Sequence, residues 1–251
     1  MKIIGYIYFM NHIKIRIAKL LASYNYGSRR EIENLISNKK IKLNNKIILT
    51  PVTFANEEDK ITINGKKVLF KKNISILKLY KPKDVICSKN KQDKRKIIYE
   101  ILDSKYKNFI FAGRLDFKSE GLIILTNDSS LTRNLELPKN KFERKYDVRV
   151  FGDFNIEKLK LKSKGTKING IQYKPFDFKI KSKIKKNTII EMSLKEGKKN
   201  EIRNIFKELN LQVNKLKRIS YGPFKLDNML PGDLRKPSKI ELEKYENYIR
   251  N

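Results

Sequence analysis

The residues of this chain best equipped for chemistry lie in GRLDFKSEG (113–121), a loop bracketed by Gly113 and Gly121 between two apolar stretches. Four charges alternate through it: Arg114, Asp116, Lys118 and Glu120. A charged loop between strands is most often a solvated turn, and from this loop alone both a chemical and a solvated reading stay open. A second set is Ser28-Arg29-Arg30-Glu31, whose S-x-x-E spacing reads as a capping box opening a helix. Cations at a helix N-terminus oppose the macrodipole. A bound phosphate would relieve that cost and use the free N–H groups, whereas two solvated arginines would simply bear it. Metal chemistry has little to build on: one His and the single Cys87 cannot form a zinc site of the usual kind, although carboxylates alone could hold a metal. The lone Cys87 also forbids an intrachain disulfide, which agrees with a reducing cytoplasm, and reads most simply as a small buried apolar residue.

The elements that must position these residues follow from composition and pattern. The chain has 251 residues, 39% of them hydrophobic, enough for a core. Its formal net charge of +31 points to a polyphosphate partner. Richness in Lys, Asn and Ile suits an A- and T-biased genome, but that bias would favour Glu as well, and Glu does not keep pace. Only 12 of the 58 basic residues are Arg, so an Arg is more apt to be needed for its planar fork; Arg16, Arg29, Arg30, Arg114, Arg203 and Arg218 are among them. No apolar run reaches membrane-spanning length. The start MKIIGYIYF lacks a small-residue cleavage site, so residues 1–12 read as an extension, with Met10 an alternative initiator.

IKIRIAKLLAS (13–23) places Ile13, Ile17, Leu20 and Leu21 on one helical face, and the helix after Ser28 buries Ile32, Leu35 and Ile36. Strands are expected in 41–49 and 59–65, and the basic stretch 66–73 resembles a linker. Beyond it, strands are read in 74–80, 108–112, 121–128, 143–152, 172–180 and 187–197. Helices are read in 96–102, in SSLTRNLEL before Pro138 and in NEIRNIFKEL, with a last strand in QVNKLKRISYG. Strands outnumber helices, so the larger region is expected to be α+β with a mainly antiparallel mixed sheet flanked by helices.

GRLDFKSEGLIILTND resembles the signature of the RsuA/RluB-type ribosomal RNA pseudouridine synthases, GRLD-x-x-[ST]-x-G-L-hydrophobic-T-x-D. The resemblance continues in LYKPKDVICS (79–88), ERKYDVRVFG, EGKKNEIRNIF (196–206) and LKRISYGPFKL (216–226), in the family's order. The helix-helix-strand module before them resembles the S-four-type RNA-binding domain that precedes the catalytic domain there. ERKYDVRVFG and RISYGPF look closer to the RluB-like, large-subunit branch.

The resemblance implies a pseudouridine synthase fold and an isomerase acting on rRNA, 23S before 16S, in the cytoplasm and as a monomer, with no cofactor and no metal. It implies Asp116 as nucleophile, Tyr146 for base stacking and help with proton removal, and Arg203 paired with Asp116 to keep it ionised. Arg114, Leu216 and Arg218 are implied at the substrate, with Tyr221 and Gly222 beside the RNA channel, and Arg16, Arg29 and Arg30 on the docked RNA; for Arg218, Tyr221 and Gly222 structural packing is an equal reading, and Leu216 could be plain core. The implied domains are 13–70 and 75–251, with 71–74 as linker. KKIKLNN (39–45), Asn204 and Asn210 depart from the family pattern and bear on RNA affinity more than on chemistry. The rival is a non-catalytic RNA-binding assembly factor that keeps the fold.

Overall fold

The computed structural model describes residues 14–24, 26–70 and 74–250, the side chain of Arg250 excepted. Ile13, the 1–12 extension and most of the 71–74 linker lie outside them. The chain divides into two compact units between Ile74 and Ser75.

The first unit runs β1 (Ile15–Arg16), α1 (Ile17–Ser23), α2 (Arg29–Ser37), β2 (Ile41–Leu43), β3 (Lys46–Ile47), β4 (Phe54–Ala55), β5 (Ile61–Ile63) and β6 (Lys66–Lys67). Alternating β-branched residues delay the first helix: Ile15 and Arg16 pair with Ala55 and Phe54, and helix begins only at Ile17. Ser28 caps α2 as the sequence suggests, taking the Glu31 N–H while the Glu31 carboxylate takes its own. The 41–49 stretch is a hairpin rather than one strand, because Asn44 and Asn45 both take positive φ (48° and 67°), as a two-residue primed turn demands. The 66–73 stretch is no free linker over its first half: β6 pairs with β5, and Val68 is buried in a core with Ile17, Leu21, Ile32, Ile36 and Ile41.

The second unit contains β7 (Ile76–Lys81), β8 (Val85–Ile86), β9 (Lys96–Ile97), β10 (Ile110–Ala112), β11 (Glu120–Thr126), α3 (Ser129–Glu136), β12 (Arg144–Phe151), α4 (Ile156–Ser163), β13 (Thr166–Ile168) and β14 (Ile171–Tyr173). It continues with β15 (Asp177–Ile184), β16 (Asn187–Leu194), α5 (Glu201–Glu208), β17 (Gln212–Tyr221), β18 (Phe224–Lys225), β19 (Leu234–Arg235) and α6 (Lys239–Arg250). One mixed sheet, in the order β15-β16-β12-β17-β11-β7-β19, forms its backbone. All its pairs are antiparallel except β11 with β17.

Two expectations fail locally. The 96–102 stretch is not a helix: after β9 it makes a single 3₁₀ turn, Ile98–Glu100, whose Glu100 carboxylate accepts from Ile97 N at 3.0 Å. Five apolar residues among seven leave no polar face for a helix to turn outward. The 172–180 stretch is broken into β14 and β15 at Pro175, which has no N–H to extend a ladder.

Candidate active site

The sheet forks where the charged loop emerges. β7 occupies one edge of β11 from Gly121 to Thr126. The other edge is shared: β17 pairs in parallel at Glu120 and Gly121, and β10 pairs antiparallel from Ile124 to Thr126. The chain leaves β10 at Ala112 and re-enters β11 at Glu120, so residues 113–119 span the mouth of this fork. Inside it, the Leu122 carbonyl accepts from Arg218 Nε at 2.7 Å. β17 also approaches so closely that a Cβ on Gly121 would stand 2.3 Å from the Arg218 carbonyl oxygen.

The loop is tied down almost residue by residue. Gly113 N donates to Glu136 Oε1 at 2.7 Å, and Leu115 N to Cys87 Sγ at 3.4 Å. Phe117 O accepts from Asp84 N at 2.9 Å, and Asp116 O accepts from Ser119 N at 3.0 Å. Lys118 O accepts from Arg203 Nη2 at 3.3 Å, and Ser119 O accepts from Lys81 Nζ at 2.7 Å. Lys81 has no exposed surface and also donates to Pro82 O at 2.8 Å; burial pushes its ammonium down to about 8. Burial likewise pushes the Cys87 thiol up, against the N–H it accepts and the nearby cations.

The two loop carboxylates fare differently. Glu120 is buried against Tyr80, whose hydroxyl donates at 3.3 Å, and against Lys215 Nζ at 3.1 Å. Burial and the Glu120 charge together push the Tyr80 hydroxyl up to about 12. Asp116 is exposed, and its side chain has no hydrogen bond or ion pair within the described residues.

Arg203 reaches this loop, but not as the expected direct pair with Asp116. Its guanidinium is spent on Lys118 O, on Val213 O at 3.1 Å and on Ser119 Oγ at 3.5 Å. Burial lowers its pKa, and the field of Asp116 opposes that. Tyr146 is buried in one apolar cluster with Leu115, Ile202 and Leu216. Leu115 and Ile202 are the chain neighbours of Asp116 and Arg203, so that cluster gathers the distant motifs. Arg114 is exposed beside the loop start. In the first unit, Arg16, Arg29 and Arg30 are all exposed, the last two on the first turn of α2.

Of the two readings open for Arg218, Tyr221 and Gly222, an RNA channel or structural packing, the structure shows packing. Arg218 is 2% exposed, plugs the fork and lies 5.0 Å from the Tyr221 ring centre. The Tyr221 hydroxyl donates to Leu135 O at 2.7 Å and accepts from Arg144 Nη2 at 2.9 Å. A Cβ on Gly222 would meet the Phe142 ring at 2.6 Å. Lys81, Asp84 and Glu136 had no individual place in the sequence reading, while Cys87, read there as a small buried residue, is buried and also accepts the Leu115 N–H. No group of three or more His, Cys, Asp or Glu among the described residues could hold a metal ion.

Comparison with known proteins bears on the family and the fold. The RNA pseudouridylate synthase family profile matches residues 75–208, and the S4 domain profile matches residues 15–61. An uncharacterized RNA pseudouridine synthase of Rickettsia prowazekii is 38% identical over 229 residues, covering 91% of this chain and 97% of its own. Ribosomal large subunit pseudouridine synthase B of Buchnera aphidicola subsp. Schizaphis graminum is 34% identical over 242 residues, covering 93% of this chain and 94% of its own. A crystal structure of a pseudouridylate synthase shares the fold with a TM-score of 0.65 at 24% identity, over 92% of this chain and 99% of that one. The chain belongs to the RNA pseudouridine synthase family, of the RluB-like type. It is an isomerase whose synthase domain follows an S4 domain.

Proposed function

We propose that this enzyme converts one uridine of 23S rRNA to pseudouridine in the cytoplasm, as a monomer, with Asp116 as the nucleophile. The observation that carries the assignment is the contrast within the loop: Glu120 is spent on Tyr80 and Lys215, while Asp116 stands exposed on a backbone anchored on both sides of it. A carboxylate free of partners on a held backbone is available to attack, and a fixed backbone spares reorganisation at the moment of reaction. The reaction breaks the bond between C1′ and N1 of the uridine, turns the base, and forms a bond between C1′ and C5. N1 gains a proton and C5 loses one, so product and substrate are isomers and the sum needs no redox partner.

In this reading Arg203, which the Asp116 charge faces, supplies the positive field at the nucleophile once the base closes off water. Tyr146 and Leu216 form the wall on which the extruded base stacks, since a base must leave its helix to be reached. Tyr146 also helps remove the C5 proton, and Arg114 contacts the RNA. Arg218, buried in the fork, supports the loop from beneath. Residues 13–70 dock folded rRNA through Arg16, Arg29 and Arg30, reading shape and phosphates as paired RNA requires. The 23S assignment leans on the large-subunit relatives in Buchnera.

Tritium release from rRNA transcripts carrying 5-tritiated uridine tests the reading. Release from 23S but not 16S transcript is expected, and Asp116→Asn abolishes it while binding persists. Binding without release from either transcript would make the chain a non-catalytic assembly factor, and substantial turnover by Asp116→Asn would refute the nucleophile.

A further inference from the structure

The catalytic sheet has two faces, and only one is used above. On β12 the side chains of Tyr146, Val148 and Val150 are buried among residues of α4 and α5, such as Leu159, Ile202 and Phe206. Strand geometry sends the alternate residues Lys145, Asp147, Arg149 and Phe151 to the opposite face. Register extends that face across four strands. Arg149 is opposite Ile189 on β16 and Lys215 on β17, and Ile189 is opposite Ser182 on β15. One row further on, Phe151 is opposite Asn187, which is opposite Ile184.

This face combines unsatisfied positive charge with exposed apolar surface. Lys181 Nζ bridges Asp147 at 2.6 Å and Glu191 at 3.0 Å, which neutralises the two carboxylates of the middle row. Arg149, Lys179 and Lys217 then have no carboxylate within 4.0 Å among the described residues. Beside Arg149 lies a cavity of about 250 Å³ lined by Ser182, Ile184, Asn187 and Ile189. Ile184 is 68% exposed and Phe151 42%.

We propose that this open face binds a single-stranded segment of the RNA substrate, with an unstacked base in the cavity beside Arg149 and phosphates on the neighbouring cations. The inference rests on the RNA reading above and deepens it. The charge selects a polyanion. The exposed Ile184, Phe151 and the planar guanidinium select one whose base faces are free, because paired RNA hides those faces and presents phosphates and ribose. An acidic peptide would use the cations but leave the apolar cavity without a purpose. The segment bound here is distinct from the target nucleotide, which enters on the Tyr146 side. RNA reaching both faces rounds the β15 edge, where Lys183, Lys185 and Lys186 are exposed.

Fluorescence anisotropy of a labelled ten-nucleotide oligouridylate with the full-length chain tests this. Arg149→Glu is expected to weaken binding about tenfold, and Ile184→Ser about threefold. Lys158→Glu, an equal charge change on exposed α4, should alter it less than about twofold. All three positions are exposed, so melting temperatures report any misfolding; Arg149→Gln replaces the reversal if one occurs. Equal losses for Arg149→Glu and Lys158→Glu would reduce the effect to the overall charge of the chain. An unchanged affinity for Ile184→Ser would remove the base-binding cavity. Tritium release run alongside separates the two readings: failure to isomerise with these differences intact sinks the enzyme assignment alone, and the converse sinks only this surface.

Discussion

At the scale of single residues, Arg203 does two jobs that a lysine cannot combine. Its fork holds Lys118 O and Val213 O at once, and its charge faces Asp116. Arg203→Lys keeps the charge but can satisfy only part of that geometry. Its kcat is expected to fall about a hundredfold with little change in KM, since a small displacement of the loop costs roughly that much. Steady-state tritium release against RNA concentration checks the split. A rise in KM with kcat preserved would mark Arg203 as a binding residue instead. Gly121 is constrained from another direction. Its φ of +111° and the 2.3 Å approach of the Arg218 carbonyl leave no room for a Cβ. Gly121→Ala should cost about 3 kcal/mol in a denaturant titration, because backbone rather than a flexible side chain has to yield.

At the scale of elements, the fork depends on strands held against both of their neighbours. All seven residues of β11 are buried, and β7 is anchored on its far side by an ion pair to α6. Lys78 Nζ lies 3.0 Å from Glu241 Oε1, and both side chains are less than a tenth exposed. The same carboxylate closes the capping box of α6, accepting from Ser238 N at 2.7 Å, and takes Lys225 N at 2.8 Å. Glu241→Leu leaves Lys78 Nζ with only the half-exposed Asp227 carboxylate at 3.0 Å and the Lys225 carbonyl at 2.9 Å, removes the α6 cap as well, and is expected to cost about 3 kcal/mol. The double variant Lys78→Met with Glu241→Leu should recover most of that loss. Thermal or chemical unfolding of the three proteins measures it, and a double variant no better than the single would mean that the cap outweighs the ion pair.

At the scale of the whole molecule, buried titrating groups set an alkaline stability profile. Burial lowers Lys81 to about 8, so the unfolded chain holds this proton more tightly. Between pH 8 and pH 10 the unfolded state therefore binds more protons at this site, and stability rises with pH. Tyr80, Tyr99 and Tyr245 are pushed up to about 12, chiefly by burial. There the folded state keeps the proton, so stability is intact below pH 10 and is lost as pH climbs toward 12. Relative to Lys81→Met, the wild-type protein is expected to gain about 2 kcal/mol between pH 8 and pH 10. Urea titrations at the two pH values check this; a constant difference would mean that Lys81 is not held charged against its burial.

Much of this architecture could be read from the chain, because its signals are local. The capping box at Ser28, the helix of NEIRNIFKEL, the alternation in ERKYDVRVFG and the motif around Asp116 each depend on residues a few positions apart. Asn210, where the sequence departs from the family pattern, adopts φ of +57°, a left-handed geometry that asparagine tolerates. The failures have a common cause in pairing and burial. Whether 41–49 made one strand or two turned on a two-residue turn, and whether 96–102 coiled turned on how much of it the core covered. The family resemblance named Asp116, Tyr146 and Arg203, which residue types alone left open, but not what surrounds them. Only the tertiary structure decided that Lys81 and Cys87 hold the loop, that Arg218 plugs a fork instead of facing RNA, and that Glu120 is spent while Asp116 is free. These outcomes follow from which strands share an edge of β11, a contact between segments roughly a hundred residues apart, which no local pattern encodes.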